Sequence, residues 1–198
     1  MVVQDKAVGL LGGSFDPVHL GHLSIAKSFL ESDGISELWV LLTPAAPHKE
    51  GQQLTSYELR MEMLHRTFDE IKGIKVTDIE SRLSPPYYTV RTLRYLTRQY
   101  PDQPFFWCIG EDSLADFESW HKWQEILDLC NLLVARRPAS ETGALNAKIK
   151  NHAYFVDHQP VDISSTQIRS LVQEGKSISN FVPPSVAEFI AQHKLYQE

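Results

Sequence analysis

Short runs of apolar residues alternate along this chain with segments whose apolar residues recur at the period of an α-helix. Runs that are apolar throughout are typical of strands buried on both faces of a parallel sheet. Their alternation with helices predicts a doubly wound, Rossmann-like parallel α/β sheet. The predicted strands are Ala7–Leu11, Leu38–Leu42, Ile74–Ile79, Phe105–Ile109, Leu132–Ala135 and Tyr154–Val156.

The helical segments lie between these runs and at the end of the chain. Tyr57, Met61, Leu64 and Phe68 fall on one helix face, as do Val90, Leu93, Leu96 and Tyr100 in a later helix. Without repeats or long linkers, residues 1–198 are expected to form one domain. The other predicted helices run from about His19 to Leu30, from about Ser165 to Glu174, and onward from Pro183-Pro184.

Composition narrows the function classes. Nineteen Lys and Arg against 25 Asp and Glu give a net charge of −6, which argues against nucleic acid as a partner. No apolar run is long enough to span a bilayer, so no membrane partner is expected. Cys108 and Cys130 lie in strand-like runs and are interpreted as buried free thiols of a cytoplasmic protein. An anionic ligand therefore needs a local cluster of donors, and the chain has eight His to contribute.

The first predicted strand leads into an unusual turn, Gly12-Gly13-Ser14-Phe15-Asp16-Pro17-Val18-His19-Leu20-Gly21-His22. Two glycines let the backbone turn sharply and approach a ligand closely. His19 and His22 are three residues apart at a helix start, so both imidazoles share one face beside free N–H groups. Gly21 leaves room for a bulky group. This arrangement suits a polyphosphate.

Two other interpretations of this turn remain open. The glycines can simply form a turn, with His19 and His22 partly buried. Alternatively, His-x-x-His can hold zinc, but Asp16 is the only further ligand nearby, and no metal-binding residues are assigned.

The turn resembles the signature of the His-x-Gly-His nucleotidylyltransferase superfamily, and most closely that of bacterial nicotinate-nucleotide adenylyltransferases. The resemblance implies a fold of the nucleotidylyltransferase type. It also implies transfer of the adenylyl group of ATP to nicotinic acid mononucleotide, with Mg²⁺ accompanying ATP. A homo-oligomer is compatible with the sequence. By this resemblance the catalytic residues are His19, His22 and Arg169.

Further motifs extend the resemblance along the chain in order. Pro44–Lys49 matches the family's proline-rich loop that ends in His-Lys, Gly110–Ser113 its Gly-x-Asp-Ser segment, and Ile163–Arg169 its Ile-Ser-Ser-Thr-x-Ile-Arg motif. Ser164 or Ser165 is expected to cap the helix that begins within the last of these motifs. The resemblance implies that ATP is bound by Gly12, Gly13, Ser14, Phe15, His19, His22, Lys49, Gly110, Asp112, Ser165, Thr166 and Arg169.

The mononucleotide side of the site rests on other matches. Thr89 corresponds to the family's threonine beside the nicotinate carboxylate, and its position also suits a helix N-cap. Trp120 matches the tryptophan that stacks on the pyridine ring, with Trp123 as its rival, and His121 stands where the family usually has tyrosine. The implied substrate-binding residues are His48, Lys49, Thr89, Trp120, His121 and Arg137.

The substrate phosphate is already anionic, so the reaction needs no general base. Its catalyst must hold two anions in line and neutralise developing charge. We expect His22 to donate to the α-phosphate in the transition state. His19 and His48-Lys49 are expected to hold the ATP phosphates, with Thr166 and Arg169 on the β- and γ-phosphates. Three alternative functions remain: adenylyl or other nucleotidyl transfer to another substrate of the same superfamily, nucleotide binding by a non-catalytic regulator, and hydrolysis by a zinc enzyme.

Overall fold

The computed structural model describes residues 7–45, 54–137 and 145–197. Within these ranges six strands form one parallel sheet, as the sequence predicts: β1 (Val8–Gly13), β2 (Glu37–Leu42), β3 (Ile74–Thr77), β4 (Phe105–Gly110), β5 (Asn131–Arg136) and β6 (Ala153–Asp157). Their order across the sheet is β3-β2-β1-β4-β5-β6. The chain reverses its winding direction between β1 and β4, which opens a crevice at the carboxyl ends of these two strands.

The predicted helices are present, with ends that shift by a residue or so. Three short helices were not predicted because segments of five to seven residues show no helical period: α4 (Glu111–Ala115), α5 (Trp123–Leu129) and α6 (Ala147–His152). Two turns of 3-10 helix occupy Ile79–Arg82 and Phe117–Ser119. The helices are α1 (Leu20–Leu30), α2 (Tyr57–Phe68), α3 (Thr89–Gln99), α4 (Glu111–Ala115), α5 (Trp123–Leu129), α6 (Ala147–His152), α7 (Ser165–Gln173) and α8 (Pro184–Gln192).

Two expectations about strand and helix ends were wrong. β3 stops at Thr77 because the chain turns into the 3-10 helix at Ile79. Thr89 does not cap α3: Tyr88 is the N-cap, it makes no side-chain capping bond, and Thr89 is the first helical residue.

Both faces of the sheet are covered, which explains the continuous apolar strands. Phe29 of α1, Phe68 of α2 and Ile190 of α8 pack in the core on one face. Leu93 of α3 and Ile126 of α5 pack in the core on the other face. Each such fully buried side chain stabilises the fold by about 1.5–3 kcal/mol. The covered faces leave the strand ends as the place where a ligand can reach the backbone.

The two cysteines are buried and free, as predicted. Cys108 lies on β4, and burial raises its pKa well above the ordinary value of a thiol. Burial also raises the pKa of Cys130, to about 12. Among the described helices, none combines the length and the apolar character needed to cross a membrane.

Candidate active site

A cleft of about 480 Å³ opens at the carboxyl ends of the central strands. A larger groove of about 630 Å³ at the outer edge of β3 is lined by Trp39, Tyr57 and Arg82 among others, and by none of the described residues predicted for the site. The cleft is therefore the candidate site. It brings together these predicted residues: Gly12, Gly13, Ser14, Phe15, His22, Thr89, Gly110, Trp120, His121 and Ser165.

The two histidines of the first turn lie on one face, as their spacing predicts, and their rings are stacked on one another. Their ring centroids lie 3.7 Å apart at an interplanar angle of 27°. The His19 backbone N–H donates to Nδ1 of His22 over 3.2 Å. Because an accepting nitrogen carries no proton, the imidazole proton of His22 lies on Nε2. His22, which lines the cleft, is thus fixed in the form that presents Nε2–H as a donor.

His19 is the buried member of this pair. It is 7% exposed, and its Nδ1 is buried without a hydrogen-bond partner. Burial lowers the pKa of His19 from 6.5 to about 4, so the ring is neutral at physiological pH. His19 does not line the cleft directly and contacts it through the stacked ring of His22. Without a bound ligand, His19 contributes shape and position rather than positive charge.

Steric crowding explains two glycines of the turn. A Cβ on Gly21 would lie 2.9 Å from the Cε1 and Nδ1 atoms of His19, so Gly21 makes room for the His19 ring. The expectation that Gly21 admits a bulky group is thereby refined, because that group belongs to the protein. A Cβ on Gly13 would lie 2.9 Å from the ring of Phe15. Phe15 itself has a φ of 44°, a conformation that L-residues adopt only when the surroundings hold them there.

A buried arginine that was not predicted from the sequence hydrogen-bonds to the backbone of the first turn and of the neighbouring loops. Arg60 is 1% exposed, and its guanidinium donates to the carbonyls of Ser14, Thr43, Pro44 and Thr55 at 2.8–2.9 Å. The loops after β1 and β2 are thus tied to the start of α2 by one side chain. Burial lowers the pKa of Arg60, and the nearby Asp16 carboxylate opposes this. The helical pattern offered a signal, since Arg60 lies next to the apolar stripe of α2.

Helix α7 holds the same turn from the opposite side. Ser164 caps the helix in a capping box with Gln167, which decides between the two candidate serines. The Ser165 hydroxyl donates to the Pro17 carbonyl over 2.9 Å. Arg169 donates from Nη1 to the Asp16 carbonyl over 2.7 Å and from Nη2 to the Thr166 hydroxyl over 3.3 Å. Thr166 and Arg169 therefore converge, as predicted, beside the turn rather than on the wall of the cleft.

The far wall of the cleft carries aromatic rings. Trp120 lines it, packed on Phe117 with ring centroids 5.2 Å apart, whereas its rival Trp123 does not line it. His121 stacks on Tyr88 at 4.3 Å and 24°, which links the segment before α5 to the start of α3. Tyr88 is a cleft residue that the sequence analysis did not assign.

Other predicted residues lie away from the cleft wall. Asp112 is exposed on α4, and Arg137 is exposed just after β5. Lys49 and His48 lie outside the described residues. Gly110 lines the cleft at the start of α4, and a Cβ there would meet nothing within 4 Å.

Glu80 is a buried acid on the cleft wall that sequence reasoning did not find. It is 2% exposed, and Oε1 accepts a hydrogen bond of 2.8 Å from the Thr92 hydroxyl, while Oε2 is buried without a well-formed hydrogen bond. Burial raises the pKa of Glu80, and the hydroxyls of Thr43 and Thr92 oppose this increase. Its sequence, Asp-Ile-Glu-Ser-Arg, looks like an exposed turn, so no local signal marks it.

The zinc interpretation of the turn has no support in this geometry. Both carboxylate oxygens of Asp16 are engaged, one by the Tyr196 hydroxyl at 2.6 Å and the other by the Thr55 N–H at 3.2 Å. In residues 7–45, 54–137 and 145–197 no group of three or more His, Cys, Asp or Glu side chains is placed to hold a metal ion.

The turn that leads into α1 and the family comparison together identify a nucleotidylyltransferase: the cytidylyltransferase-like family model matches residues 10–171. A relative from Shewanella pealeana, named "Probable nicotinate-nucleotide adenylyltransferase", is 34% identical over 211 residues, covering 96% of this chain and 95% of its own. One of the same name from Synechococcus sp. (strain JA-3-3Ab) is 36% identical over 200 residues, covering 98% and 96%. The chain belongs to the nicotinate-nucleotide adenylyltransferase family, and it is an enzyme of the nucleotidyltransferase class.

Solved structures share the fold. Plasmodium falciparum nicotinic acid mononucleotide adenylyltransferase complexed with NaAD superposes with a TM-score of 0.77 at 20% identity, covering 96% of this chain and 97% of that one. The same protein complexed with APC gives a TM-score of 0.76. The doubly wound architecture predicted from the apolar alternation is thus shared along nearly the whole length of these chains.

Proposed function

We propose that this chain transfers the adenylyl group of ATP to nicotinic acid mononucleotide, forming deamido-NAD and pyrophosphate. The observation that carries the proposal is the first turn, where His22 presents an oriented Nε2–H at the start of α1 beside the cleft. Membership in the nicotinate-nucleotide adenylyltransferase family gives the substrate class.

The chemistry requires little beyond position and charge. The phosphate of the mononucleotide attacks the α-phosphorus of ATP, a bond to the α-phosphate forms, and pyrophosphate leaves. The nucleophile is already an anion, so no side chain has to remove a proton. The protein must align the two anions and stabilise the charge that builds up on the α-phosphate oxygens. His22 is assigned this stabilising role, together with the positive N-terminal end of α1.

The remaining ATP contacts are proposed from position. The cleft is lined by five of the residues that we assign to ATP: Gly12, Gly13, Ser14, Phe15 and Ser165. Further along the phosphates we assign His19, Lys49, Thr166 and Arg169, and beside the ATP ribose Gly110 and Asp112. Arg169 already uses two donors on Asp16 and Thr166, so it binds phosphate with the donors that remain.

Mg²⁺ is proposed to arrive bound to ATP. Its hard oxygen ligands would be phosphate oxygens, because Asp16 has both oxygens engaged and the described residues contain no carboxylate cluster. The ion neutralises charge on the phosphates when bound. What the chain itself contributes is the neutral donor His22 and the N–H groups of the turn.

For the mononucleotide, we assign Trp120 to stack on the pyridine ring and Thr89, at the start of α3, to lie beside its carboxylate. His121 would contribute its backbone N–H, which a change from tyrosine to histidine leaves intact. His48, Lys49 and Arg137 complete the proposed set. The whole chain, residues 1–198, is proposed to act as one domain in the cytoplasm.

The test is an assay of pyrophosphate release from the purified protein with ATP and Mg²⁺. Nicotinic acid mononucleotide and nicotinamide mononucleotide are offered separately, with pantetheine phosphate and glycerol phosphate as controls for other superfamily substrates. We expect release with nicotinic acid mononucleotide at the highest kcat/KM, together with deamido-NAD identified by mass. Release with neither pyridine mononucleotide would refute the proposal.

A further inference from the structure

The chain ends in an unusual backbone conformation next to the first turn. After α8, Lys194 and Tyr196 have φ values of 51° and 59°, in the left-handed region that favours glycine. The Leu195 N–H donates to the Ile190 carbonyl over 3.1 Å and so folds the chain back on its helix. Two such residues within three positions persist only where the surroundings hold them.

Contacts of the Tyr196 side chain show what holds this segment. Its hydroxyl donates to Oδ1 of Asp16 over 2.6 Å, across 180 residues of sequence. Asp16 is 3% exposed, and its Oδ2 accepts from the Thr55 N–H over 3.2 Å. A charge-assisted bond between a phenol and a buried carboxylate is among the stronger hydrogen bonds of proteins.

Asp16 connects Tyr196 to the turn that forms part of the cleft. Its carbonyl accepts from Arg169, and its neighbours in the turn are the cleft residues Ser14 and Phe15. The carboxylate of Asp16 is thus fixed at two points by groups outside the turn, one of them the last aromatic residue of the chain. Neither Asp16 nor Tyr196 lines the cleft, and neither is among the residues proposed to contact ATP or the mononucleotide.

We propose that Tyr196 is a positioning residue for adenylyl transfer, which acts through Asp16 to hold the turn in its reactive conformation. The inference rests on the proposed function for its kinetic readout. Its physical basis is that small displacements of groups around the reacting atoms lower turnover strongly, even when the substrates still bind. Tyr196 then affects kcat, whereas a tyrosine that only secures the chain end affects stability alone.

The decisive variant is Tyr196→Phe, which keeps the ring and removes one hydroxyl. We expect kcat to fall about 10- to 100-fold, with KM for ATP and for the mononucleotide changed less than about twofold. Tyr154→Phe is the matched control, because Tyr154 is 44% exposed on β6 and the chemical change is the same. The control should keep the turnover of the unaltered protein.

Asp16→Ala removes the acceptor of the same hydrogen bond and serves if the Tyr196→Phe variant folds poorly. If Tyr196 acts through Asp16, the double variant Tyr196→Phe/Asp16→Ala is no slower than the slower single variant. Effects of the two substitutions that multiply would overturn the inference, as would unchanged kcat in the folded Tyr196→Phe variant.

A second readout keeps this inference separate from the proposed function. Amide hydrogen exchange of residues 14–19 needs no turnover, and Tyr196→Phe should speed exchange there while Tyr154→Phe should not. If the unaltered protein releases no pyrophosphate, the proposed function fails, and exchange still reports on Tyr196. Unchanged exchange in residues 14–19 would then rule out its positioning role.

Discussion

His19 gives the sharpest quantitative prediction, because its burial links folding to pH. The folded protein holds this ring neutral with a pKa of about 4, whereas the unfolded chain takes up a proton near the ordinary value of 6.5. Below pH 6.5 the unfolded state therefore binds more protons than the folded state. The contribution of His19 to the free energy of unfolding is full above that pH and is lost as the pH falls towards 4.

The size of the effect follows from the two pKa values. Proton linkage gives a loss of about 2 kcal/mol at pH 5 and about 3 kcal/mol near pH 4. Such a loss is a large fraction of the total stability of an ordinary domain. It should therefore be visible in equilibrium unfolding.

The assay is urea unfolding at about pH 7 and about pH 5, for the unaltered protein and for His19→Asn. Other groups, including His158, whose pKa burial also lowers, titrate in both proteins and cancel in the comparison. The unaltered protein should lose about 2 kcal/mol more than the variant between the two pH values. If the two proteins lose stability in parallel, His19 is not held neutral by the fold. The NMR shift of its ring Hε1 provides a direct check, since it should not titrate near pH 6.5.

Three further substitutions test the turn. His22→Ala should lower kcat about 10²- to 10³-fold in the pyrophosphate assay, and unchanged turnover would remove His22 from the mechanism. Gly21→Ala would stabilise an isolated helix by about 1 kcal/mol, but the clash with His19 should instead destabilise the protein by about 1–3 kcal/mol in urea. Arg60→Met should lower the free energy of unfolding by about 3–5 kcal/mol, because four carbonyls lose their donor. The control Arg98→Met changes an exposed arginine and should leave the free energy of unfolding nearly unchanged. Equal losses in the two variants would contradict the role of Arg60 in holding the turn.

The sheet and the location of the site were predictable because both depend on local patterns. Apolar runs indicate buried strands, and a glycine pair after the first of them marks where the chain can approach a ligand. The spacing of His19 and His22 predicts a shared face, and their rings do stack. Which of the two is buried was not predictable, because that depends on the packing around the turn rather than on spacing.

Residues that support the site from outside it were the ones missed. Glu80 lies in a short polar segment and is buried only because β3 ends early and α3 packs over it with Thr92. Tyr196 reaches Asp16 through two left-handed residues, Lys194 and itself, that no propensity favours. Contacts of this kind join residues that are far apart in the sequence. They therefore cannot be predicted from the composition or periodicity of a short segment.

The contacts of α7 and of the chain end set an order of events during synthesis. The turn leaves the ribosome among the first residues, yet Ser165, Arg169 and Tyr196 contact it across 148, 153 and 180 positions. Contacts that close such long loops form late in folding. A nascent chain can therefore build most of its sheet while these contacts are still missing, and the turn is fully held only after Tyr196 has been made. A chain that stops before Tyr196 would carry the turn without the hydrogen bond from Tyr196 to Asp16.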